Sequence, residues 1–483
     1  FKNSTYKAIF SISVFIFVYF ILLISTIGIT IYASYFGIFL IFLIPNFLTF
    51  FVGAGLISFG ILIFIFLIKF IFKKHKTDRS NIIEIFEKDE KDFFNFIKEI
   101  VLEVNTNFPK KIYLSNEVNA SVFYDSSFWS MFLPIPKNLV IGMGLINSCT
   151  KQELKAILAH EFGHFSQRSM KVGSYVYNVN QIIYNLLNDN DNFENIIQKF
   201  GNINAVVSLF VTLAVKIIIS IQWVLKKMYK FVNLNYMALS RAMEFHADEI
   251  AANVVGINPL KDILLRLNFT SHAFNVILNF YESKIESNQK SKNIYLEHQF
   301  VYQFLAKKND IILNNNLPQL TLTEINKYNK SKLEIKDQWS SHPTILERIK
   351  SLDKLKIEKK ENNTDKAFDL FRNPTQTQEK LTSILFSNID YKTETTFFEF
   401  DEFSNEFEKK YMEDSFPDVY NGYYDEKNPS IFNINTIENN EISQNLKNLF
   451  SNEKVNLVNE LIVLENDKSI VSSISKKEID VES

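Results

Sequence analysis

Cysteine is all but missing: Cys149 stands alone, so no internal disulfide can form, which suits a reducing compartment. Just ahead of a helix start, it reads as a small packed side chain. Net charge is nearly missing too. Lys and Arg number 52 against 54 Asp and Glu, a formal −2 at pH 7, and no basic aromatic surface motif occurs. Such a chain makes no field for nucleic acid, so none is expected as a partner. Internal repeats are absent. Most telling, residues 8–68 hold no charged residue at all. One bilayer crossing needs about 20 apolar residues, so this run predicts an integral membrane protein in contact with lipid and excludes a soluble helical one.

Gly28, Gly37, Pro45 and Asn46 punctuate that run, which predicts two spans, residues 8–32 and 47–72. Read as a signal peptide, its apolar part is too long and no small-residue cleavage site follows. Lys2 and Lys7 precede the pair, and Lys69, Lys73, Lys74, Lys76 and Arg79 follow it. Positive flanks on both sides predict a hairpin with two cytoplasmic ends, so the next segment begins in the cytoplasm. The chain opens on Phe1 rather than Met, and its true start is expected to lie upstream.

Residues 150–167 carry apolar Leu154, Ile157 and Leu158 at helical spacing, and Thr150 with Glu153 forms a capping box. Within this helix lies His160-Glu161-Phe162-Gly163-His164, an H-E-x-x-H pattern. Residues four apart share a face, so His160 and His164 can hold one divalent ion, with Glu161 beside them to take a proton from water. Two unrelated surface histidines are the alternative. A second helical stretch, residues 240–248, sets Glu244 and Asp248 four apart among Met243, Phe245 and Ala247. In such an apolar surround unpaired carboxylates are costly. Glu244 is therefore expected as third ligand, and Asp248 as the acceptor that fixes a ligand histidine's tautomer. His246 points elsewhere. An extended H-E-x-x-H-x-x-G-x-x-H site needs Gly and His where the chain has Gln167 and Met170, so that class is out.

H-E-F-G-H, then S-R-x-x-E-x-x-A-D at residues 240–248, then His342-Pro343 and Arg348, resembles the HtpX and CAAX-prenyl-protease group of membrane-bound zinc metallopeptidases. Asn119-Ala120 and Gly144-Leu145 also match that group, over residues 111–355. The resemblance implies a gluzincin site with one zinc on His160, His164 and Glu244, and Glu161 as general base. It also implies that the His342-Pro343 loop returns near the site, where His342 or Arg241 steadies the developing oxyanion, a structural role at the helix start being the alternative for His342. Ser121 and Val122 depart from the aromatic usual after Asn-Ala.

The expected fold is mainly α with a small β-sheet: a transmembrane hairpin (residues 1–76), a metallopeptidase domain (77–356) with a membrane-associated insertion at about 170–238, and a polar acidic region (357–483). Residues 81–104 read as an amphipathic helix or pair, and residues 111–115, 120–124 and 139–143 as strands. Residues 119–123 are the expected edge strand for a polypeptide substrate, beginning at Asn119 and Ala120. Residues 205–225 are apolar apart from Lys216. Glu244 must share a side with His160, so the chain between them crosses an even number of times: either residues 172–187 also cross, or neither segment does and both lie on the membrane. The helix after Asp248 is expected to break at Pro259. Expected function is endoproteolysis of membrane or membrane-proximal proteins on the cytoplasmic face of a bacterial-type inner membrane. A silent membrane-anchored scaffold of the same fold is the alternative.

Overall fold

The computed structural model describes residues 2–72, 79–123, 137–166, 204–322, 342–359, 364–424 and 445–475, with a few isolated positions between. Its contacts fall into two units, residues 1–264 with 337–377, and residues 265–336 with 378–483. This division groups residues 265–336 with the C-terminal region rather than with the segment around H-E-x-x-H.

In the first unit, helix α1 (Lys2–Leu43) and helix α2 (Phe47–Phe72) form the apolar hairpin. The expected end of the first span near residue 32 is too early: α1 runs straight through Gly28 and Gly37. Away from water, backbone groups have no partner but the helix itself, so glycine does not end it. At Gly37 the missing side chain serves packing, since a Cβ there would sit 2.7 Å from the Gly53 carbonyl oxygen on α2. Thr30 donates across the hairpin to the Gly60 carbonyl at 2.8 Å, and Tyr19 to that of Leu67 at 3.0 Å.

A four-stranded sheet follows, built from β1 (Ile83–Ile85), β2 (Lys111–Ser115), β3 (Ala120–Phe123) and β4 (Asn138–Gly142), in the order β1-β2-β4-β3. β2 and β4 run parallel, and the two outer strands are antiparallel to their neighbours. The expectation of helix over residues 81–85 is corrected here. Ile82, Ile83 and Ile85 are β-branched, and pairing with residues 112–114 outweighs a short helical period. Helix α3 (Lys91–Val104) keeps the rest of that stretch and buries Phe93, Phe94, Ile97 and Ile100. Gly142 ends β4 where no other residue fits: a Cβ would lie 1.8 Å from the Glu117 carbonyl oxygen.

Helix α4 (Lys151–Ser166) starts at the expected capping box, Glu153 N–H to Thr150 Oγ1 at 3.2 Å and Thr150 N–H to Glu153 Oε2 at 2.8 Å. It packs against edge strand β3 and against helix α5 (Ala205–Val255). α5 is one unbroken helix of 51 residues, about 76 Å long, so the apolar segment and the acidic segment share one rod. Its residues Val207, Val211, Ala214, Ile218, Ile221 and Leu225 lie against Ile12, Phe15, Tyr19, Leu62, Ile63, Phe66 and Leu67 of the hairpin. Thus α1, α2 and α5 are, among the described residues, three helices long and apolar enough to cross a membrane. The proposed crossing over residues 172–187 lies almost wholly outside the described residues.

α5 stops at Gly256, whose φ of +86° favours glycine, not at Pro259. Pro259 instead sits in the first turn of helix α6 (Ile257–Glu282), where no intrahelical N–H bond is lost.

The second unit holds most of α6, strand β5 (Gln289–Ser291), helix α7 (Ile294–Lys308), strand β6 (Thr396–Phe398) parallel to β5, and helix α10 (Phe400–Asp414). Between these in the chain lie helices α8 (Ile345–Leu355) and α9 (Pro374–Ser387). Phe398, Phe403 and Phe407 enter this unit's core: Phe403 packs edge-on to Phe280 with centroids 5.0 Å apart, and stacks on Phe407 at 5.6 Å.

Candidate metal centre

α4 presents His160 and His164 one turn apart, and close packing brings α5 to them. A Cβ at Gly163 would stand 3.4 Å from Ala247 Cα and Ile250 Cβ, ordinary contact distance, so the two helices pack closely beside the histidines. Glu244 thereby reaches both imidazoles. His160 Nε2 and His164 Nε2 stand 3.2 Å apart, and Glu244 Oε2 and Oε1 stand 3.4 Å from each in turn. Ligand atoms of these three residues all lie within 4.8 Å of one another.

These distances allow a test of fit. Tetrahedral zinc with bonds of about 2.0–2.1 Å places its donor atoms about 3.3–3.4 Å apart. The two imidazole nitrogens approach that spacing and each faces its own oxygen of Glu244, with one ligand atom from each residue lying within 4.8 Å of the others. The 3.2 Å approach of the two Nε2 atoms requires a proton or a cation between them, and the Glu244 carboxylate beside them favours either. The donor set therefore fits a divalent ion with one position left for substrate or water.

Asp248, one turn beyond Glu244, is 1% exposed. Its Oδ1 lies 2.9 Å from His160 Nδ1, which assigns the proton to Nδ1 and leaves Nε2 free as a ligand. Arg348 on α8 holds the other side of this carboxylate, with Nε to Oδ2 at 2.9 Å and Nη2 to Oδ1 at 2.5 Å. The 3.3 Å gap between Nη2 and His160 Nδ1 is then the distance between two donors sharing one acceptor. Arg348 Nη1 also stands 3.9 Å from Glu244 Oε2. A second capping box, Thr344 with Glu347, starts α8 and fixes where Arg348 projects.

His342 Nδ1 lies 3.1 Å from Glu244 Oε1, while the side chain is 67% exposed, so it stands at the rim. Arg241 is half-buried on α5, one turn before Glu244. Among the described residues, the guanidinium that reaches the carboxylates is that of Arg348. Asn119 and Ala120 open β3, the outer strand, beside α4. His246 is not among the residues whose ligand atoms cluster, which are His160, His164 and Glu244. His298 is buried in the second unit, its Nε2 2.8 Å from the Thr270 carbonyl oxygen.

The electrostatics follow from burial and pairing. Desolvation pushes the Glu161 carboxyl up to about 7, with Glu244 adding to the rise and the cations nearby opposing it. Burial and then the His160 charge lower His164 to about 3, keeping it neutral. Burial works against a charge on His160 as well, but Asp248 and Glu244 outweigh it and raise that imidazole to about 9. A ligand atom made this basic suits a cation.

Sequence reasoning did not assign Arg348 a role. It lies 100 residues from Asp248 in the chain, and no local spacing links them.

The sequence pattern described as Peptidase family M48 matches residues 95–356. "Protease HtpX" of Vibrio atlanticus (strain LGP32) is 28% identical over 137 residues, 27% of this chain and 43% of the relative. "Protease HtpX" of Wigglesworthia glossinidia brevipalpis is 24% identical over 191 residues, 36% of this chain and 60% of the relative. The chain thus spans less than two thirds of either relative's length. No solved structure matches it significantly.

Proposed function

This chain belongs to peptidase family M48, and from that premise we propose that it is a membrane-bound zinc endopeptidase cutting membrane or membrane-proximal polypeptides. One observation carries the reading: two α4 histidines and an α5 glutamate converge, one ligand atom from each within 4.8 Å of the others, with Glu161 beside them on α4. A scaffold needs no base at that position.

When bound, one zinc per chain supplies Lewis acidity to the scissile carbonyl and to the attacking water. His160, His164 and Glu244 hold it. Asp248 and Arg348 keep His160 in the ligating tautomer. Glu161 takes the proton of the attacking water and returns it to the leaving amine, and a carboxyl poised near neutrality suits both transfers. His342, at the rim and bonded to Glu244, is placed to donate to the oxygen on which charge develops. Among the described residues β3, with Asn119 just before it and Ala120 at its start, is the outermost strand of the sheet, and an extended peptide adds to it as a further strand.

The catalytic side is the cytoplasm. Lysines flank the hairpin, and Lys226, Lys227 and Lys230 follow the apolar part of α5 on the way to Glu244.

The test is zinc content and casein cleavage of detergent-purified protein, wild type beside Glu161→Gln. Equal zinc, near one per chain, with cleavage reduced by about 10²–10⁴ in the variant supports the reading. Zinc in both and cleavage in neither, even of an unfolded membrane protein, gives the silent scaffold. No zinc in either removes the site.

A further inference from the structure

Lys216 lies in the apolar half of α5 and has no role at the metal centre. Asn204 caps the helix, its Oδ1 accepting from Val207 N–H at 2.9 Å, and Lys226 is the next charged residue after Lys216. At 1.5 Å per residue these polar ends are about 33 Å apart, close to the roughly 30 Å hydrocarbon thickness of a bilayer. Lys216 falls about 18 Å from one end and about 15 Å from the other, near the midplane. Helical side chains lean towards the N-terminus, here away from Lys226, and a lysine stem of about 6 Å reaches neither surface.

The face it occupies is also defined. Ala214 and Ile218, each about 200° around the helix from Lys216, are buried against the hairpin, so Lys216 points away from α1 and α2 and is exposed. Among the described residues its ammonium meets no carboxylate. Thr212 and Ser220, one turn to either side, share the exposed face, and each hydroxyl is satisfied by its own helix, on the Ser208 and Lys216 carbonyls at 2.9 and 3.0 Å. Exposed Trp223, with Lys227 over its ring at 5.9 Å, marks the nearer interface.

An ammonium at this depth is costly unless paired. Neither this chain's apolar segments nor a second copy of them can pair it: residues 8–68, 172–187 and 205–225 contain no Asp or Glu. We propose that the face of α5 bearing Thr212, Lys216 and Ser220 docks a transmembrane helix of another protein with an aspartate or glutamate near its middle. This rests on α5 crossing the membrane and is independent of peptide hydrolysis. The metal centre lies 28 residues away at Glu244, about 42 Å along the rod, so a helix seated here is held beside the protein without touching the site.

The test uses the full chain in zwitterionic vesicles with dansyl-labelled polyleucine transmembrane peptides carrying a central Glu, a central Gln or neither. Energy transfer from the protein's tryptophans, Trp223 among them, reports association. The Glu peptide should bind wild type and Lys216→Arg at least about tenfold more tightly than Lys216→Leu, with the Gln peptide nearly indifferent. Lys216→Gln provides a second neutral variant, and retained zinc shows that each protein is folded. Equal binding of the Glu peptide to wild type and both neutral variants overturns the proposal. So does a wild type that self-associates through Lys216 without peptide, or whose Lys216 responds only to anionic lipid.

Discussion

Arg348 grips both oxygens of Asp248, and the Oδ1 it holds at 2.5 Å is the same oxygen that faces His160 Nδ1 at 2.9 Å. A residue on α8 thereby sets the orientation of a ligand on α4 through a carboxylate on α5. Lysine cannot reproduce a two-point grip on a carboxylate. Arg348→Lys should weaken zinc affinity about 10–100-fold, measured by competition with a chelator. Arg348→Ala should also lower thermal stability, because Asp248 is left buried and poorly paired. Unchanged zinc affinity in both variants would show that α8 has no part in the site.

His342 offers a contrast, since it is at the rim and largely exposed. His342→Ala should retain zinc within about threefold while kcat falls about tenfold or more with little change in KM, as expected for a contact made only in the transition state. A variant that loses zinc in step with activity would make His342 a support for Glu244 instead.

Gly142 should tolerate no side chain. With a Cβ position 1.8 Å from the Glu117 carbonyl, Gly142→Ala must displace backbone, and the N–H of residue 142 would lose its 2.7 Å bond to the Asn119 carbonyl. A loss of several kcal/mol is expected, about 3 or more, seen as a lower Tm and low recovery from detergent extraction. Wild-type Tm in that variant would contradict the register of β3 and β4.

Glu297 in the second unit supplies a pH signature. Its Oε1 accepts from Tyr281 at 2.7 Å and Ser291 at 2.8 Å, and burial pushes the carboxyl up to about 8 from the usual 4.5. The fold therefore keeps a proton that the unfolded chain gives up. Between about pH 4.5 and 8 the folded state binds more protons, so this group's contribution is full below the unfolded value and declines as pH rises to about 8. Tm should fall across that window, and Glu297→Gln should flatten the fall. The same slope in the variant would assign it to other groups.

The sequence by itself determined whatever depends on near neighbours along the chain. His160 with His164, and Glu244 with Asp248, are four apart, and a helix must place each pair on one face. Both ends of α4's first turn were legible in Thr150 and Glu153, and an uncharged run of residues 8–68 leaves nowhere to go but a membrane. Tertiary structure decided what joins distant segments. Pairing with β2 turned residues 83–85 into strand, and the absence of competing water let α1 run through its glycines. The length of α5, unbroken from Ala205 to Val255, put apolar and acidic segments on one rod and turned Lys216 away from the hairpin. Only the packing of α4 against α5 brought Glu244 to the histidines, and only the fold brought Arg348 to Asp248. Spacing in a sequence reports the period of a helix, whereas contact between helices depends on side-chain volumes and on where each element stops.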